Sequence, residues 1–499
     1  MAYFLSLDQG TTSSRAVIID ECAQVKGMGQ HQISQYYPQN GWVEHDPEQI
    51  WSTMLQACFD AFHQAKLRAS DIAGIGITNQ RETTVIWDKK NHKPIYPAIV
   101  WQDRRTASVC ERLRLAGKET EITQKTGLLL DAYFSATKIQ WILNHVPGAK
   151  ARAAAGELCF GTIETWLLWC MTQGRSHLTD ATNASRTLLF NIHTQEWDKD
   201  LLTLFDIPSQ ILPQVVDNYG HFGVADAHLL GAELPICAMA GDQQSAAFGQ
   251  ACFDKGMAKT TFGTGGFLLV NTGEKPVFSS HQLLTTIQYR LPGQLAYGVE
   301  GSIFIAGAAI QWLRDNLRLI QHSSDIQTLA DEVENSGGVC FVPALTGLGA
   351  PYWNPHARGL ISGLTRDTRP GHLAQATLDA VCYQTRDLLA TMAEDGLILT
   401  TLRVDGGMTV NDRFLQRLSD ILGVSVQRPR SVETTAQGVA FLTGLALGIY
   451  RSLDDIRECW QPDHLFEPRA VDNEVIEEGY RLWCYWVKQM NEMSSLQGQ

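Results

Sequence analysis

The feature that most constrains the fold is a strand–loop–strand pattern that occurs twice in the chain. Residues 4–7 and 16–19 are apolar runs that flank a loop with four hydroxyl side chains and one residue of each charge. Residues 257–272, MAKTTFGTGGFLLVNT, again place small and hydroxyl residues between two apolar runs. A plain hairpin needs only about two to five turn residues. The repeat predicts two related halves that face each other across a cleft.

The chain alternates strand-like runs with amphipathic helices, which predicts an α/β fold. Residues 46–65 show the helical pattern, with Asp46 as the N-cap and Pro47 in the first turn. A strand-like run follows at residues 72–78. The predicted apolar face of the helix consists of Ile50, Trp51, Met54, Leu55, Cys58, Phe59 and Phe62.

The length of 499 residues allows about two to four domains, and the repeat favours two. We expect these domains to be residues 1–250 and 251–499, with the boundary inside residues 249–256. No low-complexity linker marks the boundary in the sequence.

Composition argues against several classes of protein. The formal net charge of −13 disfavours a nucleic-acid binder, because such proteins concentrate Lys and Arg. Eleven scattered cysteines without a C-x-x-C pair disfavour a disulfide framework and a zinc site. The N-terminus lacks the basic region of a signal peptide, and no apolar run reaches the ~18 residues of a membrane span. The sequence therefore predicts a cytoplasmic protein that binds no nucleic acid and has no membrane span.

The first loop carries groups that suit a polyphosphate. Gly10 permits a tight turn that exposes backbone amides, and Arg15 adds a delocalised cation. Asp8 follows the first strand, where its carboxylate can hold a hydrated Mg²⁺. The alternative is a solvated hairpin whose hydroxyl groups bond their own backbone. The hydroxyl donors of the loop include Thr11, Thr12 and Ser13.

Asp242 is the candidate general base. It lies in AGDQQSAAFGQ (residues 240–250), between small residues and a helical run. A lone Asp at such a position is more often a helix N-cap. At the edge of a cleft the same carboxylate can accept a proton, and Gln243 beside it offers both a donor and an acceptor. Both interpretations stay open from the residues alone.

Arg81 and Glu82 are candidates for the recognition of a polyol. They stand side by side in TNQRETTVIWD (residues 78–88), where one can donate to hydroxyl groups and the other can accept from them. Trp101, in AIVWQDRR, offers an apolar face for a carbon backbone. The alternatives are a surface strand end for the charged pair and a core position for the tryptophan.

A surface for a nucleotide is expected in the second half. FGTGGF (residues 262–267) offers Thr264 and a close approach of the backbone. Residues 402–423 predict a strand, a glycine turn at Gly407 and a helix with Asn411 as N-cap. The sequence has neither the G-x-G-x-x-G spacing of a Rossmann loop nor the G-K-[ST] of a P-loop, so a nucleotide would use neither motif. The 14 histidines show no metal-ligand spacing.

A series of motifs, in this order along the chain, resembles the FGGY family of carbohydrate kinases. The resemblance covers residues 4–450 and fades beyond them. YFSATKIQWILNH (residues 133–145) resembles the first family signature, and GLISGLTRDTRPGHLAQATLD (residues 359–379) resembles the second. The other motifs are DQGTTSSR, GWVEHDP, GITNQRET, AIVWQDRR, GTIETWLLW, TDATNASRT, AGDQQ, GTG and VDGG.

The resemblance implies two actin-like, ribonuclease H-like domains around a nucleotide cleft, the first binding glycerol and phosphate and the second binding adenosine. It implies Mg²⁺-dependent phosphorylation of glycerol by ATP to sn-glycerol 3-phosphate, the first step of glycerol degradation, by a homodimer or homotetramer. Asp242 would be the base, and Asp8 would hold Mg²⁺ through water. Glycerol would be bound by Arg81, Glu82, Tyr133, Asp242 and Gln243, with Trp101 and Phe267 beside its carbons. ATP would contact Thr11, Thr12, Ser13, Arg15, Thr264, Gly307, Gln311, Gly407 and Asn411.

The resemblance also bears on regulation. Some family members are inhibited by fructose 1,6-bisphosphate at a glycine-rich loop that ends in Arg. Residues 227–236, AHLLGAELPI, contain no Arg, so we do not expect this inhibition. In other members this segment carries a histidine that is phosphorylated by the phosphocarrier protein of the sugar phosphotransferase system, and His228 occupies that position. The flanking aromatic residues of that pattern are missing, so a loop histidine without a role is the alternative.

Two other functions stay open from the sequence. A family member that acts on a longer sugar, such as a pentulose, would share the motifs, although the Arg81–Glu82 pair with Trp101 favours glycerol. A non-catalytic nucleotide-dependent module, like actin-type filaments or chaperone ATPases, would share the cleft. That module would leave Asp242 and the Arg81–Glu82 pair without a role.

Overall fold

The first half of the chain is built on a six-stranded mixed sheet in the computed structural model, which describes residues 1–469 and 473–497. The strands of this half, six of which form the main sheet, are β1 (Tyr3–Gln9), β2 (Ser13–Asp20), β3 (Val25–Gln32), β4 (Glu44–His45), β5 (Ile72–Asn79), β6 (Val85–Asp88), β7 (Ala98–Ile99), β8 (Leu158–Gly161), β9 (Leu178–Asp180), β10 (Phe190–Asn191), β11 (Glu196–Trp197), β12 (Gln214–Val216), β13 (Tyr219–Ala225) and β14 (Leu234–Gly241). The main sheet has the order β13-β14-β5-β1-β2-β3.

The helices of this half flank the sheet and build the region between β5 and β14. They are α1 (Pro47–Ala65), α2 (Ala107–Leu115), α3 (Glu119–Thr126), α4 (Ser135–His145), α5 (Ala149–Ala154), α6 (Ile163–Met171), α7 (Ala181–Ala184), α8 (Lys199–Leu204), α9 (Ala227–Leu230) and α10 (Asp242–Gly249).

The second half is built on a seven-stranded sheet. The strands of this half, seven of which form the main sheet, are β15 (Met257–Phe262), β16 (Gly266–Gly273), β17 (Leu284–Leu291), β18 (Gln294–Ile303), β19 (Cys340–Val342), β20 (Leu360–Ser362), β21 (Thr401–Asp405), β22 (Val426–Pro429) and β23 (Pro462–Phe466). The sheet has the order β17-β18-β16-β15-β21-β22-β23. The helices are α11 (Gly307–Asp315), α12 (Asp325–Ala330), α13 (Pro370–Glu394), α14 (Asp412–Leu422), α15 (Thr434–Ala446), α16 (Leu453–Cys459) and α17 (Asn473–Gln497).

The two main sheets share one topology. In the first, β1 is antiparallel to β2 and parallel to β5, and β5 is parallel to β14. In the second, β15 is antiparallel to β16 and parallel to β21, and β21 is parallel to β22. One edge of each sheet is an antiparallel strand, β13 or β23. The α/β prediction is therefore confirmed, and the loop after β1 has its counterpart in the loop after β15.

Helix α1 follows the sequence pattern with one exception. Asp46 is the N-cap and accepts a hydrogen bond from the Glu48 amide at 2.9 Å, and Pro47 opens the first turn. Phe59, which we placed on the apolar face, is 51% exposed and the prediction for it is wrong. The buried face is displaced toward Thr53, Ala57 and Ala61, because α1 packs closely on β3, where a Cβ on Gly29 would lie 2.1 Å from the Ala57 carbonyl oxygen.

Helices α10 and α15 cross between the two sheets at close range. A Cβ on Gly249 would lie 2.0 Å from the Thr434 carbonyl oxygen, and a Cβ on Gly438 would lie 1.9 Å from the Ser245 carbonyl oxygen. The Ser245 hydroxyl donates to the Thr435 carbonyl at 2.7 Å. Glycine therefore permits a backbone contact that any side chain would block.

Helix α15 lies in the second half of the sequence but packs against the first sheet. Its Ala436 and Val439 belong to one buried apolar cluster with Phe4. The Ser6 hydroxyl of β1 donates to the Ala436 carbonyl at 2.7 Å. The two halves are thus joined by packing as well as by the chain, and the boundary at residues 249–256 stays a prediction.

Within the described ranges, no helix is long and apolar enough to cross a membrane.

We expect Gly438→Ala to destabilise the protein by about 1–3 kcal/mol, because the added methyl group would overlap the Ser245 carbonyl. In an uncrowded helix the same change would stabilise by about 0.5–1 kcal/mol, so the two situations differ in sign. Thermal unfolding followed by calorimetry checks the sign. A melting temperature equal to or above that of the wild type would contradict the close crossing.

Candidate active site

The predicted functional segments meet at the carboxyl ends of three parallel strands of the first sheet. β1, β5 and β14 are parallel neighbours, so that Asn79 lies opposite both Gln9 and Gly241. The loop after β1, the arginine–glutamate pair after β5 and Asp242 after β14 therefore come together in space. The carboxyl ends of parallel strands are a common place for a ligand site in α/β proteins.

Arg81 is buried and faces two carboxylates. Its Nε lies 3.2 Å from Asp242 Oδ1. Its Nη1 and Nη2 donate to Glu300 Oε2 and Oε1 at 2.5 and 3.0 Å. Nη1 also donates to Gln244 Oε1 at 3.3 Å. The guanidinium is thus held on two sides, and Arg81 and Asp242 are brought together as the sequence predicts.

Glu82 is enclosed and pairs with Arg186. Arg186 Nε donates to Glu82 Oε1 at 2.6 Å, and its Nη2 donates to Glu300 Oε1 at 3.2 Å. The backbone of Glu82 has φ of 61°, a left-handed conformation that is strained for a residue with a side chain and is often found at functional sites. Sequence reasoning missed Arg186 and Glu300. The available signals were the position of Arg186 in TDATNASRT and the isolated charge of Glu300 in β18.

Asp242 is the first residue of α10, and Gly241 takes the N-cap position. The N-cap interpretation is therefore wrong. The carboxylate accepts a hydrogen bond from the Gln243 amide at 2.7 Å, and 29% of the side-chain surface is exposed. Burial raises the pKa of Asp242 to about 6, although Arg81 acts in the opposite direction. A carboxylate with such a pKa suits the acceptance of a proton near neutral pH.

Three aromatic rings form a wall beside these charges. Trp101 and Tyr133 meet edge to face with ring centroids 5.5 Å apart, and Trp101 and Phe267 do so at 6.4 Å. Burial raises the pKa of Tyr133 well above its ordinary value, so the phenol stays protonated and can donate. Phe267 comes from β16 of the second half. The wall therefore joins both halves of the chain.

Gln243 is held by a buried lysine of the second half. Lys259 Nζ donates to Gln243 Oε1 and, at 2.8 Å, to Thr261 Oγ1. Lys259 is fully buried, and burial lowers its pKa. Lys259 donates to the side-chain carbonyl oxygen of Gln243, so the side-chain NH₂ of Gln243 remains a donor for a ligand. Sequence reasoning missed Lys259, whose signal was a charge inside the strand MAKTTF.

The loop after β1 is short and leads into an ion-pair cluster. The Gly10 amide donates to the Ser13 carbonyl at 2.9 Å, which closes the turn. Arg15 pairs with Asp8 and, at 3.0 Å, with Glu433 of the second half. The hydroxyl-bearing residues of the loop differ in access: Thr12 is exposed, Thr11 is half-buried, and Ser13 is buried with its hydroxyl oxygen accepting from Gln30 at 2.9 Å.

Asp8 offers the kind of ligand that Mg²⁺ prefers. In the described part of the chain no group of three or more His, Cys, Asp or Glu side chains forms a metal cage. Mg²⁺ in phosphoryl-transfer sites is usually held by one or two carboxylates, by waters and by the phosphates of the substrate. The Asp8 carboxylate already binds one cation, the Arg15 guanidinium. As a carboxylate oxygen donor beside the loop, Asp8 still fits the role of holding a hydrated Mg²⁺ through water.

The second-half residues predicted for the nucleotide lie close to one another. The Ala308 amide, at the start of α11, donates to the Thr264 carbonyl at 3.1 Å, and the Gly307 amide donates to the Gly263 carbonyl at 2.9 Å. Gln311 is exposed one turn along α11. A Cβ on Gly307 would lie 3.7 Å from the side chain of Met408, which joins this surface to the VDGG turn.

Asn411 and Gly407 complete that surface. Asn411 is the N-cap of α14, and its Oδ1 accepts from the Phe414 amide at 2.9 Å. Its Nδ2 is buried and has no hydrogen-bond partner among the described residues, which leaves a donor for a ligand. A Cβ on Gly407 would meet nothing within 4 Å, so the backbone there is open to a flat ring.

His228 lies apart from the cleft residues. It is exposed in the short helix α9, and its backbone amide donates to Asp226 Oδ1 at 3.0 Å.

Taken together, the cleft offers a base, a set of polar groups for hydroxyls and an aromatic wall on one side. It offers hydroxyls, open backbone and an unpartnered amide donor on the other. This arrangement can hold a small polyol against a nucleotide, and it can accept a proton from the polyol at Asp242.

The comparisons with known proteins agree with this geometry. The model of the N-terminal domain of the FGGY family of carbohydrate kinases matches residues 3–249, and that of the C-terminal domain matches residues 258–447. Glycerol kinase 1 of Pseudomonas aeruginosa is 58% identical over 493 residues, 99% of each chain. Glycerol kinase of Ectopseudomonas mendocina is 55% identical over 494 residues, again 99% of each.

A solved structure shows the same architecture. Plasmodium falciparum glycerol kinase with ADP is 37% identical, with a TM-score of 0.91 over 98% of each chain. The prediction of two actin-like, ribonuclease H-like domains is confirmed by this agreement together with the shared sheet topology. The chain belongs to the FGGY family of carbohydrate kinases.

Proposed function

We propose that the protein transfers the γ-phosphoryl group of ATP to glycerol and forms sn-glycerol 3-phosphate, the first step of glycerol degradation. The observation that carries the proposal is the Arg81–Asp242 contact of 3.2 Å. This contact lies at the carboxyl ends of the parallel strands, where the loop after β1 also begins. The named relatives support glycerol as the acceptor. A non-catalytic nucleotide-dependent module of the actin type is disfavoured, because such a protein would have no ligand for this buried cluster of charges.

Glycerol is small and has three hydroxyl groups, and the cleft residues divide the work of binding it. Arg81 donates to hydroxyls and Glu82 accepts from them. Tyr133 and Gln243 add donors, and Asp242 faces the hydroxyl that reacts. Trp101 and Phe267 cover the carbon backbone of glycerol. A pentulose has a longer carbon chain, which would extend beyond the two rings. This arrangement favours a three-carbon acceptor.

Asp242 accepts the proton of the attacking hydroxyl. Phosphoryl transfer passes through a loose transition state, so positioning and charge neutralisation contribute more than the strength of the base. The carboxylates of Asp242 and Glu300 fix the orientation of Arg81, and Arg81 in turn orients the glycerol hydroxyl that attacks the γ-phosphate. The aromatic wall limits the entry of water that would otherwise attack ATP.

ATP lies between the halves in this proposal. Its phosphates meet Thr11, Thr12, Ser13, Arg15 and Thr264, and its adenosine lies on Gly307, Gln311, Gly407 and Asn411. Asp8 would hold Mg²⁺ through water, and the bound ion would supply charge neutralisation to the phosphates. We also infer that the enzyme acts in the cytoplasm as a homodimer or homotetramer.

We expect Asp242→Asn to lower kcat for glycerol-dependent ATP turnover by a factor of ~10² or more, because the base is lost while the side-chain shape is kept. A coupled ADP assay measures this. Asp46→Asn is the matched control, since it changes an Asp at the helix α1 N-cap where Asn caps equally well, and it should keep wild-type turnover. Near-wild-type turnover of Asp242→Asn would remove it from the role of base.

We expect kcat/KM for glycerol to fall about tenfold per pH unit below about pH 6, where Asp242 becomes protonated. The pKa of Asp242 is raised, so its basic form is lost on moving from neutral to mildly acidic solution. Initial rates between pH 4.5 and pH 8 in steps of about half a unit measure the profile. Return of each sample to neutral pH controls for acid inactivation. A profile that stays flat down to about pH 5 would contradict the assignment.

We further propose that His228 is a phosphorylation site for the phosphocarrier protein of the sugar phosphotransferase system. The exposure of His228 on α9 supports access by a second protein. Incubation with the labelled phosphocarrier system should label the wild type but not His228→Ala. A wild-type protein that takes up no label would overturn this proposal and leave the glycerol reaction unaffected.

A further inference from the structure

We propose that Glu300, a residue of the second half, is a positioning residue that holds Arg81 in the orientation needed to bind glycerol. The inference rests on the proposed function, because it concerns the acceptor site of that reaction. It makes the geometry of a site built from first-half residues depend on a strand of the other half.

The orientation of Arg81 is fixed chiefly by Glu300. The two terminal nitrogens of Arg81 donate to the two oxygens of Glu300 at 2.5 and 3.0 Å, a bidentate contact that sets the plane of the guanidinium. This contact leaves Nε directed at Asp242, 3.2 Å away. Without the carboxylate of Glu300, the long Arg81 side chain would retain the single Gln244 contact at 3.3 Å and the pull of Asp242.

Glu300 also reaches the second charged residue of the acceptor site. Its Oε1 accepts from Arg186 Nη2 at 3.2 Å, and Arg186 Nε donates to Glu82 Oε1 at 2.6 Å. Glu300 therefore contacts Arg81 directly and Glu82 through one arginine. All four side chains are buried, so water does not substitute for a lost partner.

The position of Glu300 in the fold suits this role. Glu300 lies in β18, which pairs with β16, the strand that carries Phe267. The same sheet thus places the aromatic side of the acceptor site and its charged anchor. Burial would raise the pKa of Glu300, but Arg186 and Arg81 overcome that effect and hold it at about 2, so the anchor stays ionised over the working range of pH.

The test compares Glu300→Gln and Glu300→Asp with the wild type in the full-length chain. We expect the glycerol KM to rise about tenfold or more in Glu300→Gln, while kcat at saturating glycerol and the Kd for ATP change less than about threefold. Glu300→Asp keeps the charge but shortens its reach, so a smaller rise in the same direction is expected. Asp217→Asn is the control, because it removes an ion pair with Arg290 that also joins the halves but involves no acceptor residue.

A second step separates positioning from a merely structural role. In an Arg81→Lys background, Glu300→Gln should raise the glycerol KM at least about threefold less than it does in the wild-type background, because lysine does not make the bidentate contact and only the route through Arg186 to Glu82 remains. Effects that multiply in the double variant overturn the proposal. An unchanged glycerol KM in Glu300→Gln also overturns it, as do equal losses for glycerol and ATP.

Thermal melting of each variant identifies any that fails to fold. Where Glu300→Gln does not fold, Glu300→Asp decides by the same criteria. Normal glycerol turnover in the wild type with no effect in the variants overturns this inference alone. A wild-type protein without glycerol-dependent turnover overturns the proposed function, and this inference with it.

Discussion

The close crossing of α10 and α15 is the constraint on which the site depends. Asp242 opens α10, and α15 brings second-half residues onto the first sheet, so the position of this candidate base is tied to both halves. The crossing exists because Gly249 and Gly438 carry no side chain where the two backbones meet. A contact made by backbone atoms has little freedom to adjust, and the two sheets therefore hold a defined relation at the base of the cleft.

The electrostatics of the proposed acceptor site follow from a buried cluster of two arginines and two glutamates. The four charges of Arg81, Arg186, Glu82 and Glu300 sum to zero, which offsets part of the cost of their burial. Asp242 lies beside this neutral cluster and shares Arg81 with Glu300. Desolvation of Asp242 outweighs the attraction of Arg81, and the nearby Glu82 carboxylate adds to the rise, so the pKa of Asp242 stays raised. Two members of the charge cluster, Arg81 and Glu82, thus act on Asp242 in opposite directions.

Much of this arrangement could be predicted from the sequence, and the failures have physical reasons. The repeat of two strand–loop–strand units gave the two-sheet architecture, because each unit is local and its pattern is strong. Arg81 could be singled out by the opposite charge of Glu82 beside it, and Asp242 by its place between small residues and a helical run. Glu300 and Lys259 were missed because each pairs with a residue outside its own strand: Glu300 with Arg81, 219 residues away, and Lys259 with Gln243 of α10. Phe59 was misplaced because helical periodicity alone does not set where the buried face of a helix is centred.

The contact between Thr11 and Trp101 links the acceptor wall to the phosphate loop. Trp101 Nε1 donates to Thr11 Oγ1 at 3.0 Å, so the oxygen of Thr11 is engaged on that side. A hydroxyl that accepts from an indole keeps its own hydrogen for another acceptor, and a phosphate oxygen is such an acceptor. Trp101 also packs edge to face with Phe267 of the second half. The ring that we propose to cover the carbons of the acceptor therefore orients a hydroxyl that we propose to donate to the nucleotide, and the opening loop depends on a residue that lies 90 positions away in the sequence.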